Sequence, residues 1–509
     1  MALHITTALV GVFFDDGVYL ALARSLAGGH GYRLLYLPGQ PAAVHYPFLY
    51  PLFLAALWKL APAFPAGVAL FKAANAALLG LFAALLVLYL RRSLGGRAWA
   101  WAALVAGSAT AVPLVIIGTM LLSEPLFLVL LVAACWVADL AREAETRRRA
   151  LLLALGAGAV ASAAALTRSI GVVVAIAVPL SLALARRPRA ALAAAAGAVL
   201  CLAPWLLWVA RHQGDVDPVL LANYGTYTGL AAQAGWASLS PANLADLARP
   251  LGAVALAPVH GWLRFYLGVP ALFVLAAGFV PLLLGAPALG WSLLGYLAVI
   301  AVWPVRPDRF LWAVWPLLAV VFALGVGRVW RWVSALAPAL ARLGRWCVAA
   351  AAAVVVVGFG FYQVRGFRRG DATSLQDGMS ATFAAVLPWV RQSTPPSAVI
   401  AGDDEALWWL YTGRLAVPCY LWRYDGRAEV SLGADSLRAW LLRSGATDVV
   451  LTGSAPVAAG TVNRLLGEDP GFLRVVRIWP GAAVALAVAR PASGVSGPAA
   501  PPGRSPARE

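Results

Sequence analysis

Apolar residues run in long blocks along this chain, and the breaks between blocks carry most of its charge. Blocks long enough to cross a bilayer as a helix, roughly 20 residues, fall at about 67–90, 99–120, 124–141, 190–209, 263–284 and 345–363. Shorter ones lie near 150–167, 169–185, 288–304 and 310–327. With the apolar residues 1–13 the pattern predicts about eleven spans. Residues 1–13 are short for a span and lack both a basic start and a cleavage site, so they read as a shortened first helix rather than a signal peptide.

Between the first two blocks the pattern changes. Val18, Leu22 and Leu26 recur at helical spacing, which predicts an amphipathic helix over 17–28 lying on the membrane. Residues 48–60 are apolar but short, with Pro47 and Pro51 at their start, and read as an interfacial or re-entrant helix. Residues 14–66 thus form one long loop on a single side. A second loop, 210–262, holds Tyr224, Tyr227, Trp236 and Trp262, a candidate aromatic belt.

After residue 364 the blocks shorten to strand length. SAVIAGDD predicts a strand and then a helix start capped by Asp403 or Asp404, and LWWLYTG a helix ending at Gly413. LAVP, DVVLT and FLRVVRIWP are further strands, with the helix SLRAWLLRSG between. The expected fold is mainly α: a polytopic transmembrane helical bundle over 1–363 and a small extracytoplasmic α/β domain over 372–490. Residues 491–509 are rich in Pro, Gly and Ser, a composition that predicts disorder.

Composition agrees. The chain is 62% hydrophobic and 12% charged, where soluble domains carry about a quarter charged residues. The net charge of +17 does not point to nucleic acid. Arginines gather between spans, at Arg91, Arg92 and Arg97, at Arg147, Arg148 and Arg149, at Arg186, Arg187 and Arg189, and at Arg328, Arg331, Arg342 and Arg345. Alternation through the spans places all four clusters on one side, as the positive-inside rule expects of the cytoplasm. Cys135, Cys201 and Cys347 lie within apolar blocks and Cys419 stands alone, so neither a disulfide framework nor a metal-ligand spacing is present.

The same alternation brings Asp15, Asp16, His45, Glu124, Arg168, Arg306, Arg309 and the chain after residue 364 to the opposite face. Acids beside a bilayer are costly and usually serve a function. A sugar on a lipid phosphate already has a good leaving group. It needs cations to hold the departing charge and one base to deprotonate an acceptor hydroxyl, unlike a glycosidase with its two opposed carboxyl groups. Asp15 or Asp16 suits the base, and Arg168, Arg306 or Arg309 the phosphate. Structural readings stand beside these: a helix cap for Asp15 and Asp16, a dipole-favoured helix start for Glu124, a helix junction for Arg168, snorkelling for Arg306 and Arg309, and a packing role for His45. Asp15, Asp16, His45 and Glu124 offer ligands for a divalent cation, but loop spacing sets no coordination geometry, so no metal is assigned.

The stretch DDGVYLALARSLAGGHGYRL, with HYPFLYPLFLA after it, resembles the first outer loop of glycosyltransferase C (GT-C) superfamily enzymes, in the ArnT-like and protein O-mannosyltransferase-like branch that includes bacterial Rgt-like members. MLLSEPLF at 120–127, LTRSIG at 166–171, RPDRFLWAVWPLL at 306–318 and WWLYTGRLAVP at 408–418 extend the likeness over most of the chain. The resemblance implies an integral cell-membrane enzyme that takes a sugar from a polyprenyl-phosphate donor and transfers it with inversion, on the extracytoplasmic face, to a glycan, lipid or protein acceptor. It maps the base to Asp15 and the second acid to Asp16, and puts His45 where relatives often place a substrate- or metal-binding residue; with Tyr46, Glu124, Arg168, Arg306 and Arg309 it completes the expected substrate-binding set. The sequence departs from relatives with a double proline, since Phe48 follows Pro47. Two other classes compete: a transporter or lipid-linked sugar flippase, for which an internal inverted repeat would be the sign, and a membrane scaffold that binds through its α/β tail.

Overall fold

The computed structural model describes residues 8–234, 261–303, 308–424, 429–452 and 456–489. Seven of its helices are long and apolar enough to cross a membrane: α3 (Val68–Leu94), α6 (Glu124–Glu143), α7 (Arg147–Thr167), α9 (Pro188–His212) and the helices Gly261–Gly285, Trp315–Ser334 and Pro338–Arg369. Two shorter helices, α4 (Ala98–Ala109) and α5 (Val112–Thr119), together have the length of an eighth span but meet at a 71° bend. Shorter apolar helices are α2 (Leu49–Leu60), the Ser169–Leu184 segment, whose α-helical part is α8 (Val172–Leu184), and Pro287–Val302. The expected count of about eleven spans is therefore not reached among the described residues. Residues 8–13 in particular form turns and not a helix. Their amides at Leu9 and Val10 donate instead to Ser380 Oγ and the Tyr411 hydroxyl, 371 and 401 residues further along.

The helices pack through small residues. A Cβ added to Gly158 would lie 1.9 Å from the Ala194 carbonyl oxygen and one on Gly197 2.2 Å from that of Leu155, so α7 and α9 meet at backbone distance. Gly278 and Gly325 bring the Gly261–Gly285 and Trp315–Ser334 helices together in the same way. Without a hydrophobic force between helices in lipid, such close van der Waals contact is what holds them. At the arginine-rich end, the buried Asp139 accepts from Tyr89 at 2.5 Å and ties α6 to α3, beside an Arg92–Glu143 ion pair.

The second unit is a mixed five-stranded sheet in the order β2-β1-β5-β7-β6, with β1 Val399–Gly402, β2 Leu415–Pro418, β5 Asp448–Thr452, β6 Leu473–Trp479 and β7 Ala483–Val488. β1 runs parallel to β2 and β5, while β7 is antiparallel to β5 and β6. β3 (Trp422–Tyr424) and β4 (Glu429–Ser431) form a separate hairpin. Helices Ser374–Ser393, Glu405–Thr412, Ala434–Arg443 and Pro456–Glu468 complete it. The expected disordered tail, 491–509, lies outside the described residues.

Two apolar cores result, and the first loop belongs to the second of them. One core fills the helical bundle. The other runs without a break from Val10, Val18, Tyr36 and Tyr50 to Phe383, Trp408 and Val449. The first-loop helix α1 (Asp15–Ala27) is consequently buried at every position from Asp16 to Ala23. It packs on α2 and the Glu405–Thr412 helix rather than lying on the membrane with one face in lipid. The loop also covers the outer edge of the sheet, since the Ala416 amide of β2 donates to the Tyr36 carbonyl at 2.8 Å.

Candidate active site

Asp15 is the first residue of α1, and Phe14 before it has a left-handed backbone, φ 58°. That sharp entry separates two neighbouring carboxylates. Asp15 Oδ1 accepts from the Tyr46 hydroxyl at 2.6 Å, and its Oδ2 lies 2.6 Å from Arg309 Nη1. Asp16 turns the other way and accepts from the backbone amides of Gly11, Phe13 and Gly17 at 2.9, 3.1 and 3.0 Å.

Helix ends bring in the rest. Glu124 opens α6 with its side chain fully buried, and Arg168 ends α7. Glu124 Oε1 lies 2.8 Å from Arg168 Nη1 and 3.4 Å from Arg309 Nε. Arg309, on the short helix Asp308–Ala313, thus bridges Asp15 and Glu124, and its guanidinium also sits 4.9 Å over the Phe13 ring. Ser123 Oγ bonds both Arg168 Nη1, at 3.1 Å, and the Tyr19 hydroxyl, at 3.0 Å. The result is two carboxylates and two guanidiniums in an alternating chain, Asp15–Arg309–Glu124–Arg168. Among the described residues Arg309 Nη2 and Glu124 Oε2 are buried without a hydrogen-bond partner.

Electrostatics divides the two acids. Burial works to raise the Asp15 carboxyl, but Arg309, then the Tyr46 hydrogen bond and Arg168, together hold it below its ordinary value. Asp16 is paired with no arginine among the described residues, although Lys72 lies within electrostatic reach. Burial, reinforced by Asp15, pushes it up to about 6 against the pull of its three amide donors. At neutral pH Asp15 is a carboxylate already paired with a cation.

His45 stands at the edge of the cluster. Its Nδ1 lies 2.6 Å from the Gly225 carbonyl oxygen, and its ring packs against Tyr46 and Tyr227 at 4.7 and 4.3 Å between centroids. Burial lowers the imidazole pKa, so a neutral ring with its proton on Nδ1 suits this contact. The structure therefore brings together Asp15, Tyr46, Glu124, Arg168 and Arg309, with His45 beside them and Asp16 facing away. Arg306 lies outside the described residues. Tyr19, Ser123 and Phe13 were not foreseen. Tyr19 carries a signal in retrospect, for it stands one helical turn after Asp15. Among the described residues no three His, Cys, Asp or Glu side chains are grouped to hold a metal ion, so the four-residue ligand set considered from the sequence is not assembled.

No protein-family model matches the chain, and no curated protein matches it. Solved structures do. ArnT from Cupriavidus metallidurans is similar over 95% of each chain at 14% identity, with a TM-score of 0.55 in the apo state and 0.57 when bound to undecaprenyl phosphate. The oligosaccharyltransferase AglB from Archaeoglobus fulgidus, in complex with an inhibitory peptide and a dolichol-phosphate, matches over 96% of this chain and 72% of its own, at 13% identity and a TM-score of 0.48. The helical bundle and its small α/β domain thus share the fold of ArnT.

Proposed function

We propose that this protein is an inverting membrane glycosyltransferase that takes a sugar from a polyprenyl-phosphate donor, with Asp15 as general base. The observation that carries this reading is the Asp15–Arg309–Glu124–Arg168 chain at one end of the bundle, in a fold shared with ArnT, itself solved with undecaprenyl phosphate. Asp15 accepts the proton of an acceptor hydroxyl as that oxygen attacks the anomeric carbon. The bond from that carbon to the phosphate oxygen breaks on the far side, and the lipid phosphate departs with the electron pair. Arg309 and Arg168 stabilise the departing charge, since guanidinium forks match phosphate oxygens. Glu124 holds both arginines in place. Asp16 keeps the turn before α1 in shape through its three amide bonds.

Asp15 paired with Arg309 is a weak base, and the donor relieves this. An incoming phosphate competes for the Arg309 guanidinium, whose Nη2 is unpartnered among the described residues. As Arg309 turns to the phosphate, the Asp15 carboxylate loses its cation and becomes more basic. The acceptor is a glycan, lipid or protein hydroxyl, and the reaction runs on the extracytoplasmic face.

Asp15→Asn preserves size and most hydrogen bonds but cannot take a proton. Single-turnover transfer from a panel of polyprenyl-phosphate sugars in membranes is expected to fall by roughly 10²–10⁴-fold at matched protein level and donor binding. Undiminished transfer in this variant would remove the base.

A further inference from the structure

The turn that delivers Asp15 is built by a part of the chain nearly 400 residues away. Residues 9–17 lie against the Glu405–Thr412 helix and its neighbour. Leu9 N–H donates to Ser380 Oγ at 2.8 Å, and Val10 N–H to the Tyr411 hydroxyl at 3.0 Å in a buried setting. Gly11 has φ +100°, and a Cβ there would stand 2.7 Å from Leu407 Cβ; one on Gly17 would meet Ala406 Cβ at 3.3 Å. Two non-glycine residues at this joint have left-handed φ, Phe14 at 58° and Asp404 at 54°, and the Asp404 carboxyl lies within electrostatic reach of the Phe14 amide. Left-handed backbone at a non-glycine residue is strained and persists where the surroundings over-determine it. Among the described residues Tyr411, Leu407 and Ser380 form no ion pair or hydrogen bond with Arg309, Glu124 or Arg168, which meet this turn only through Asp15 and Phe13.

We infer that the Glu405–Thr412 helix is the positioning element for the proposed base: Tyr411 and Leu407 fix the 9–14 turn and thereby aim the Asp15 carboxylate. The inference rests on the proposed function in taking Asp15 as the reacting group. Tyr411 touches the turn through one hydroxyl, so it sets where Asp15 stands without contact with donor or acceptor. Losing that bond leaves the buried Val10 amide unpaired and loosens the aligned turn. A misplacement on the ångström scale is enough to slow chemistry by up to about 10²-fold.

The test compares Tyr411→Phe, Ser380→Ala and Asp15→Asn, singly and as the Tyr411→Phe/Asp15→Asn double variant, in the full-length protein in membranes. Tyr411→Phe is expected to lower kcat by about 10-fold with the donor KM unchanged, and to speed hydrogen exchange at the amides of residues 9–14. Ser380→Ala is expected to do the same more weakly and guards against misfolding of the first variant. Because Tyr411 acts through Asp15, its effect should vanish in the Asp15→Asn background. Additive losses would overturn the positioning role while leaving the base intact, and so would faster exchange with kcat unchanged. Normal transfer by Asp15→Asn would fail the base reading instead. A loss from Tyr411→Phe that persisted in that background would overturn the positioning role as well.

Discussion

Asp15 and Asp16 are adjacent in sequence and opposite in circumstance. One faces two guanidiniums and a tyrosine, the other three backbone amides. The sequence showed a pair of acids beside an apolar block but not which way each would turn, because the turn depends on the amide bonds that Asp16 accepts and on distant partners at Ser380 and Tyr411. Arg309 was legible as an outer-face cation, whereas its double pairing with Asp15 and Glu124 is a product of helix packing. Because that pairing uses separate nitrogens of one planar fork, lysine is a poor replacement. Arg309→Lys is expected to lower turnover by about 10–100-fold, the loss of a charge-assisted contact; full activity would return Arg309 to a snorkelling role. The pairing also has a pH signature. In the free protein the Asp15 carboxyl sits below its ordinary 3.8, so it stays ionised, and kcat/KM for the donor should stay flat as pH falls until that region is passed. With donor bound and Arg309 drawn to phosphate, the carboxyl pKa rises, so the acid limb of kcat should lie at higher pH than that of kcat/KM. Coincident limbs would count against the exchange of partners.

At the scale of elements, the long apolar blocks translated into helices almost block for block, because a polytopic bundle needs little beyond length and apolarity. Two elements did not follow. The block at 99–120 became α4 and α5, bent by 71°. Pro113, near the start of α5, has no N–H to give and its ring disfavours a helical residue before it. The Thr110 hydroxyl, meanwhile, bonds back to the Ala106 carbonyl. Residues 8–13 were apolar enough to suggest a helix, yet their amides found partners in the small domain. Hydropathy cannot see such long-range bonds. β7, AVALAV, escaped the strand reading, since alanine and valine in alternation are equally at home in a helix. Where helices meet at glycine the tolerance is small. Gly278→Val would place a side chain 1.9 Å from the Val321 carbonyl oxygen. It is expected to destabilise the bundle by about 1–3 kcal/mol, seen as a lower midpoint of thermal unfolding in detergent. An unchanged midpoint would mean the two helices do not rely on this approach.

The whole molecule is polarised along the bundle axis. Arg91, Arg92, Arg147, Arg148, Arg187 and Arg189 mark the helix ends at one pole, and the Asp15–Arg309–Glu124–Arg168 chain lies at the other with the small domain. In the proposed arrangement, taken from the positive-inside rule, the pole that holds Asp15 faces outward. A reporter fused after residue 370 should behave as exported, and cytoplasmic reporter activity there would invert the proposed arrangement. The division into bundle and α/β domain was legible from composition alone. Their junction was not, because the core shared by the first loop and the domain joins segments that no periodicity links.

That separation sets a timetable for assembly. The Val10 amide and its Tyr411 partner are 401 residues apart. A ribosome adding about 5–20 residues per second needs about 20–80 s to cover that interval. During it the membrane helices emerge one after another, before the support that the Glu405–Thr412 helix gives to residues 9–14 exists. A polypeptide that stops short of residue 411 therefore lacks the partner of the Val10 amide, however complete its helical bundle.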